Sequence, residues 1–532
     1  MFSNIFSRPD AIAALLAAGL ALGSPIATAD YRSDVGYTKL QQELGGSIPN
    51  GAGVEVSQVE GAQTQNGTDW MPDITNGEFV GKTIINESGG IPSGHATPVG
   101  QAFYGSVTSM APAITNISAY STNDWLGSGL LNTIVGSGGP RPQISTSRIT
   151  NHSWVGSTVT ADTYILRRTD WLVETDEIIQ VVGVNNGSGG SATVALMASA
   201  YNVIAVGVSS GLNAVGSVAL DTVYTAGRTR PDIVAPAANT SIATPYVAAA
   251  TALLVDLGHD NSGLSLGSMT NRANVLVRNA ERSEVIKAAL MAGADRVSHN
   301  SAPYPTNLAL YRDTAPNQTT NGLDKRYGAG QVNIRNSYWI LAGGEQNSTE
   351  DGNGAANVSS RGFDYDPNFG GSNSTNTTAT YPLPVQAYPT LLTASLVWNL
   401  DIAGSSGNPN NNFDITATLR NLNISLIDLG NGNAVVASSA STNENTENLW
   451  VVIPANAQYA LRVTKTGSDF DWDYGLAWQL LEDADADGAY DGQDNCTNVA
   501  NFAQIDSDSD GFGNHCDGDF NNNSATNAQD TV

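Results

Sequence analysis

Residues 245–258 read Pro-Tyr-Val-Ala-Ala-Ala-Thr-Ala-Leu-Leu-Val-Asp-Leu-Gly, an Ala-rich run of helix formers with scarcely a polar side chain. A helix apolar on all sides has to be buried, and its small side chains let neighbours come close. The fold must therefore supply layers around it, which points to an α/β core. Gly258 is placed to stop the helix, and Ser241 falls where the helix would begin, among unpaired backbone N–H groups at the positive end of the dipole. An ordinary capping hydroxyl would also stand there.

The 532 residues are enough for two to four domains. With 23 basic against 50 acidic residues the chain suits neither nucleic acid nor an anionic membrane as partner. Arg8, the apolar run Ala11–Leu22 and Ala27-Thr28-Ala29 form the charged, apolar and cleavage regions of a signal peptide over residues 1–29. The run is too short to span a bilayer and no later stretch replaces it, so a secreted, extracellular protein is expected. The two cysteines, Cys496 and Cys516, lie close together, and export favours a local disulfide between them.

Residues 30–345 alternate short apolar runs with helical patterns. Gly53-Val54-Glu55-Val56-Ser57-Gln58-Val59-Glu60-Gly61 reads as a strand ending in an acid, with Ser57 and Gln58 unusually polar for a core strand. Then follow Ser93-Gly94-His95-Ala96-Thr97-Pro98-Val99-Gly100, Asn151-His152-Ser153-Trp154-Val155-Gly156, and a buried strand running into Val184-Asn185-Asn186-Gly187. Arg230-Pro231-Asp232-Ile233-Val234-Ala235-Pro236 leads to Asn239-Thr240-Ser241-Ile242-Ala243-Thr244-Pro245. This ordered series, over roughly residues 50–340, resembles the subtilisin-like serine proteases. Their nucleophile motif is Gly-Thr-Ser-Met-Ala-x-Pro-His-Val-Ala, and their triad runs acid, His, Ser along the chain.

The resemblance implies a parallel sheet with helices on both faces and a serine endopeptidase acting on protein or peptide substrates. It makes Ser241 the nucleophile, His95 the base and Glu60 the third member where the family has Asp; Asp69 and Asp73 are the nearest other acids. Asn185 matches the oxyanion donor, with Asn186 one residue away, and Ser153, Trp154 and Gly156 match the edge that pairs with substrate. His152 is read as structural. Three departures, Glu60 for Asp, Pro98 for a second His and Asn239 for Gly, leave open a rival: an impaired subtilase scaffold serving as an extracellular binding or adhesion module. The stretch between signal peptide and first core strand is too short for the folded prodomain common in that family.

Residues 346–370 have linker composition, and 381–480 hold short strands between turns, the pattern of an antiparallel β-sandwich; together they make a second unit over 346–480. In 481–518, Asp483, Asp485, Asp487, Asp491 and Asp494 take positions 1, 3, 5, 9 and 12 of a calcium loop, and Asp506, Asp508, Asp510, Asn514 and Asp517 repeat the spacing. With the cysteines, these resemble thrombospondin type 3 repeats. Residues 519–532 resemble the first half of a dockerin loop. Calcium is the expected cofactor, and these C-terminal modules suit a matrix or cell-surface partner.

Overall fold

The computed structural model describes residues 30–518 apart from 65–66, 134–139, 157–162, 188–191, 299, 301–307, 309–311, 313, 355, 371–375, 404–415, 468–470, 492–493, 506 and 508–512. The expected signal peptide and the partial loop at 519–532 lie outside the described residues.

Seven strands form one parallel sheet: β1 (Val56–Glu60), β2 (Thr83–Asn86), β3 (Asn116–Ser121), β4 (Ile149–His152), β5 (Ile179–Gly183), β6 (Ile204–Val208) and β7 (Ile233–Ala235), in the order β2-β3-β1-β4-β5-β6-β7. Strand side chains alternate between faces, and the core divides accordingly. Val56, Ile179, Val181, Ile204 and Val206 meet one apolar cluster, while Val59, Val182, Val203 and Ala205 meet the other. Helix α5 (Thr240–Asp260) lies in the first and helix α4 (Thr163–Asp176) in the second, so helices cover both faces, as expected.

Helix α5 is the apolar run read from the sequence, buried without a break from Ala243 to Gly258. It is the one described helix long and apolar enough to cross a membrane, and it is enclosed by protein. Small groups let it sit close: a Cβ added at Gly183 of β5 would lie 2.8 Å from Thr244 Oγ1. Gly258 does not stop the helix, which runs two residues further. Its missing side chain admits Ala280, whose Cβ would be 3.1 Å from an added one. Ahead of the sheet, α1 (Tyr31–Asp34) and α2 (Tyr37–Leu44) dock on the same core, with Tyr31 stacked on Tyr246 of α5 at 3.5 Å.

The chain continues through β8 (Arg361–Gly370), β9 (Thr378–Pro382), β10 (Thr390–Val397), β11 (Asn421–Asp428), β12 (Ala434–Ser439), β13 (Thr446–Ile453), β14 (Tyr459–Thr466) and β15 (Asp471–Glu482). Two antiparallel sheets result, β8-β15-β10-β13 and β9-β14-β11-β12, enclosing Trp398, Trp478, Leu426 and Leu461. Strand β8 occupies residues 361–370, within the stretch read as linker. Its Asp364 and Gly362 look like linker chemistry, yet Asp364 is buried and accepts from Tyr381 Oη at 2.5 Å.

This sandwich is not a tethered appendage. Helix α6 (Ser283–Ala292) has every residue buried, and β10 and β15 cover one side of it. Thr393 Oγ1 and Gln479 Nε2 both donate to the Ala292 carbonyl, at 2.7 and 3.2 Å, and Asn448 Nδ2 donates to the Asn321 carbonyl at 2.9 Å. Val397, Ala477, Phe363 and Tyr365 belong to the apolar cluster built around α5. An added Cβ at Gly475 would come within 2.7 Å of the α6 backbone. Gly475→Val is therefore expected to force β15 off α6, at about 1–3 kcal/mol. Thermal unfolding should show one cooperative transition moved several degrees down; an unmoved Tm would mean the two units melt independently.

Candidate active site and calcium loop

The carboxyl ends of β1, β4 and β5 lie side by side, the usual place for a site in a parallel sheet. Glu60 is the last residue of β1 and only 1% exposed. Its Oε2 meets His95 Nδ1 at 2.9 Å, and its Oε1 accepts from Gln58 Nε2 at 3.0 Å. His95 stands at the start of α3 (Ala96–Tyr104), whose first N–H groups are held by Ser93 Oγ, 3.1 Å from the His95 N–H and 3.2 Å from that of Ala96. Burial pushes the Glu60 carboxyl up from its ordinary range while the bond to His95 pulls the other way. That same bond raises His95, against the effect of its own burial. Asp69, half-buried, bonds Thr64, and Asp73, also half-buried, bonds Thr75; neither bonds His95.

Ser241 is the second residue of α5, and Asn239 is the cap: its Oδ1 accepts from the Ile242 N–H at 3.1 Å. The Ser241 hydroxyl is thus not used for capping. Pro245 lies inside the helix and has no N–H, so the carbonyl four residues back, on Ser241, loses its helical donor. Ser153 supplies one: its Oγ donates to the Ser241 carbonyl at 2.9 Å, and Asn151 Nδ2 donates to Ser153 Oγ at 3.0 Å. The start of α5 is thereby tied to the end of β4. Helices α3 and α5, which begin beside His95 and at Thr240-Ser241, pack together. No hydrogen bond joins the His95 ring to Ser241 Oγ among the described residues.

The oxyanion match at Asn185 is corrected by its partner. Asn185 Nδ2 donates to the Ala192 carbonyl within its own loop, at 2.8 Å. Asn186 is the residue bonded to the start of α5: its Oδ1 accepts from both the N–H and the Oγ1 of Thr240, each at 2.9 Å. Its oxygen is thus fixed on the residue that precedes Ser241.

Gly156 is corrected as well. Its N–H and carbonyl both bond Leu196, at 3.0 and 2.8 Å, so its one donor is already used. The backbone of Trp154 and Val155 keeps its donors and acceptors open among the described residues. Trp154 Nε1 donates to His152 Nδ1 at 3.0 Å, and His152 Nε2 then donates to Gln180 Oε1 at 2.8 Å. Burial lowers His152 to about 4, so it is a neutral support for Trp154.

In the tail, Asp483, Asp485 and Asp487 bring carboxylate oxygens within 4.8 Å of one another. Asp483 Oδ2 accepts from the Gly488 N–H at 3.0 Å, Asp485 Oδ1 from the Asp487 N–H at 3.2 Å, and Asp494 Oδ1 from the Cys496 N–H at 2.8 Å. Asp491 Oδ1 accepts from the Ala484 N–H at 2.8 Å. Cys496 and Cys516 are joined, 20 residues apart. In the second loop Asn514 bonds Ser507 through both ends of its amide and the Asp517 N–H bonds the Gly513 carbonyl; Asp506, Asp508 and Asp510 lie outside the described residues.

Residues 482–504 match the thrombospondin type 3 repeat. No curated protein matches the chain. Among solved structures it is similar to a mutant of the protease domain of PatA, at 17% identity and TM-score 0.35, over 56% of this chain and 98% of that one. The prenylagaramide maturation protease PagA gives 19% and 0.36, over 58% and 98%. A cold adapted subtilisin-like serine proteinase gives 18% and 0.30, over 49% and 89%. Likeness at that level carries no activity across.

The first tail loop fits the calcium that such a repeat suggests. Asp483 Oδ1, Asp485 Oδ2 and Asp494 Oδ2 are buried and find no hydrogen-bond partner, while their sister oxygens are pinned by N–H groups. Carboxylates left this way repel one another until a hard cation takes the open oxygens. Chelation is therefore expected to loosen residues 481–518 while residues 30–345 stay folded. Limited proteolysis with and without calcium checks this, and identical tail cleavage in both would contradict it.

Proposed function

We propose that this chain is an exported serine endopeptidase with a Ser241–His95–Glu60 triad and a calcium-stabilised tail. The observation that carries the reading is the buried Glu60 carboxylate bonded to His95 Nδ1 at 2.9 Å. It leaves Nε2 to work on the rim that Ser241 occupies. In this mechanism Nε2 takes the hydroxyl proton as Ser241 Oγ attacks the scissile carbonyl, and returns it to the leaving amine. A water molecule then repeats the sequence on the acyl-enzyme and releases the acid. Glu60 holds the ring's tautomer and stabilises the imidazolium. Asn186 Nδ2 and the Ser241 backbone N–H hold the oxyanion. The hydrogen bond from Ser241 Oγ to His95 Nε2 forms when substrate closes the site, since such bonds are commonly long or unmade without it.

The open backbone at Trp154 and Val155 would accept an extended peptide as an added strand, reading shape more than sequence. Export is supported by the N-terminal pattern, the Cys496–Cys516 disulfide and the repeat at 482–504. The C-terminal modules offer a face for matrix or surface partners.

A fluorophosphonate probe should label Ser241, and Ser241→Ala should abolish labelling. Glu60→Gln should lower turnover by roughly 10³–10⁴-fold while keeping the fold. Asn186→Ala should cost about 10²–10³-fold in kcat, and Asn185→Ala far less. A wild-type protein that never labels would favour the non-catalytic binding module instead.

A further inference from the structure

Gln58 is a fully buried amide in a core strand, with 0% of its surface exposed. Both of its N–H bonds are used: Nε2 donates to Glu60 Oε1 at 3.0 Å and to the Ala96 carbonyl at 2.9 Å. Its Oε1 accepts from Tyr104 Oη at 2.5 Å, and Tyr104 is itself fully buried at the far end of α3. Only one amide orientation works, since turning it over would aim oxygen at a carboxylate and a carbonyl. Residues two apart in a strand share a face, so Gln58 lies alongside Glu60 on the side that α3 covers.

A glutamate reaches its partner through one more torsion than an aspartate and has more freedom to lose. A short acid at a strand end is aimed largely by the backbone. A long one needs a second point of attachment.

We infer that Gln58, anchored by Tyr104, is the positioning residue that lets glutamate serve as the third member of the triad. It fixes Oε1 of Glu60 so that Oε2 is presented to His95. Through the Ala96 carbonyl it also fastens the first turn of α3, which carries His95, to the strand that carries Glu60. This rests on the triad reading above. Among the described residues, the titratable groups bearing on Glu60 are His95 and Tyr104, both from α3.

The test uses Gln58→Leu, close in volume but without donors, and Tyr104→Phe, which removes only the hydroxyl. NMR titration of the histidine-labelled full chain reads His95 with no need for turnover, and the pH dependence of fluorophosphonate inactivation reads the site at work. Without the amide the Glu60–His95 bond loosens, and that bond is what raises His95, so His95 should release its proton at lower pH. The titration midpoint and the acid limb should both move down, by about one pH unit in Gln58→Leu. The plateau rate should fall on the order of 10²-fold as the pair loosens. Tyr104→Phe should move both the same way by less. A folded Gln58→Leu with an unmoved His95 midpoint overturns the proposal, as does a uniform loss of labelled protein with the acid limb in place. If Gln58→Leu does not fold, an unmoved midpoint in Tyr104→Phe overturns it alone. A wild-type chain that fails to label defeats the proteolytic reading, and the His95 titration still decides the role of Gln58.

Discussion

An ionised carboxyl removed from water costs several kcal/mol unless donors take up its oxygens. Glu60 is 1% exposed and meets that demand on both sides, with His95 on one oxygen and Gln58 on the other. Much of the local architecture answers to it. Strand β1 gives up an apolar residue to supply the amide, α3 gives a buried tyrosine to hold the amide, and Ser93 caps the turn that delivers His95. A site built on the carboxyl ends of parallel strands gathers groups far apart in sequence, and rigid strands and helix starts hold them better than loops would.

The same logic explains the large interface behind the site. Helix α5 has no solvent face, and α6 beside it has none either once β10 and β15 are in place. An enclosed helix must have its polar ends and odd carbonyls met by neighbours. Side chains of the sandwich meet that need at Ala292, the last residue of α6. The second unit therefore completes the first core as well as building its own.

Much of this was legible because it depends on local pattern. The continuous apolar run announced a buried helix, the strand-then-acid order located Glu60, and polar Ser57 and Gln58 stood out as residues a plain core strand would not carry. What was not legible depends on where side chains turn. Asn185 and Asn186 are chemically identical neighbours, and only the partners, Ala192 for one and Thr240 for the other, separate them. Gly156 matched a substrate edge by motif, but its pairing with Leu196 depends on a loop distant in sequence. Strand β8 was hidden by Gly and Asp. Its buried acid is satisfied by Tyr381, which no periodicity reveals. Gly258 looked like a stop signal because glycine ends helices more often than it lets a neighbour in.

Pro245 and Ser153 have a consequence of their own. By withholding an N–H, the proline hands the Ser241 carbonyl to a hydroxyl on the strand end that leads into Trp154. Ser241 and the open strand end at Trp154 are thereby bolted together through a single shared atom. Neither position can be altered as if the other did not exist: an ordinary residue at 245 would compete with Ser153 for one acceptor, and a residue without a hydroxyl at 153 would leave that acceptor bare. Stability changes at the two positions should fail to add, although 92 residues separate them in the chain.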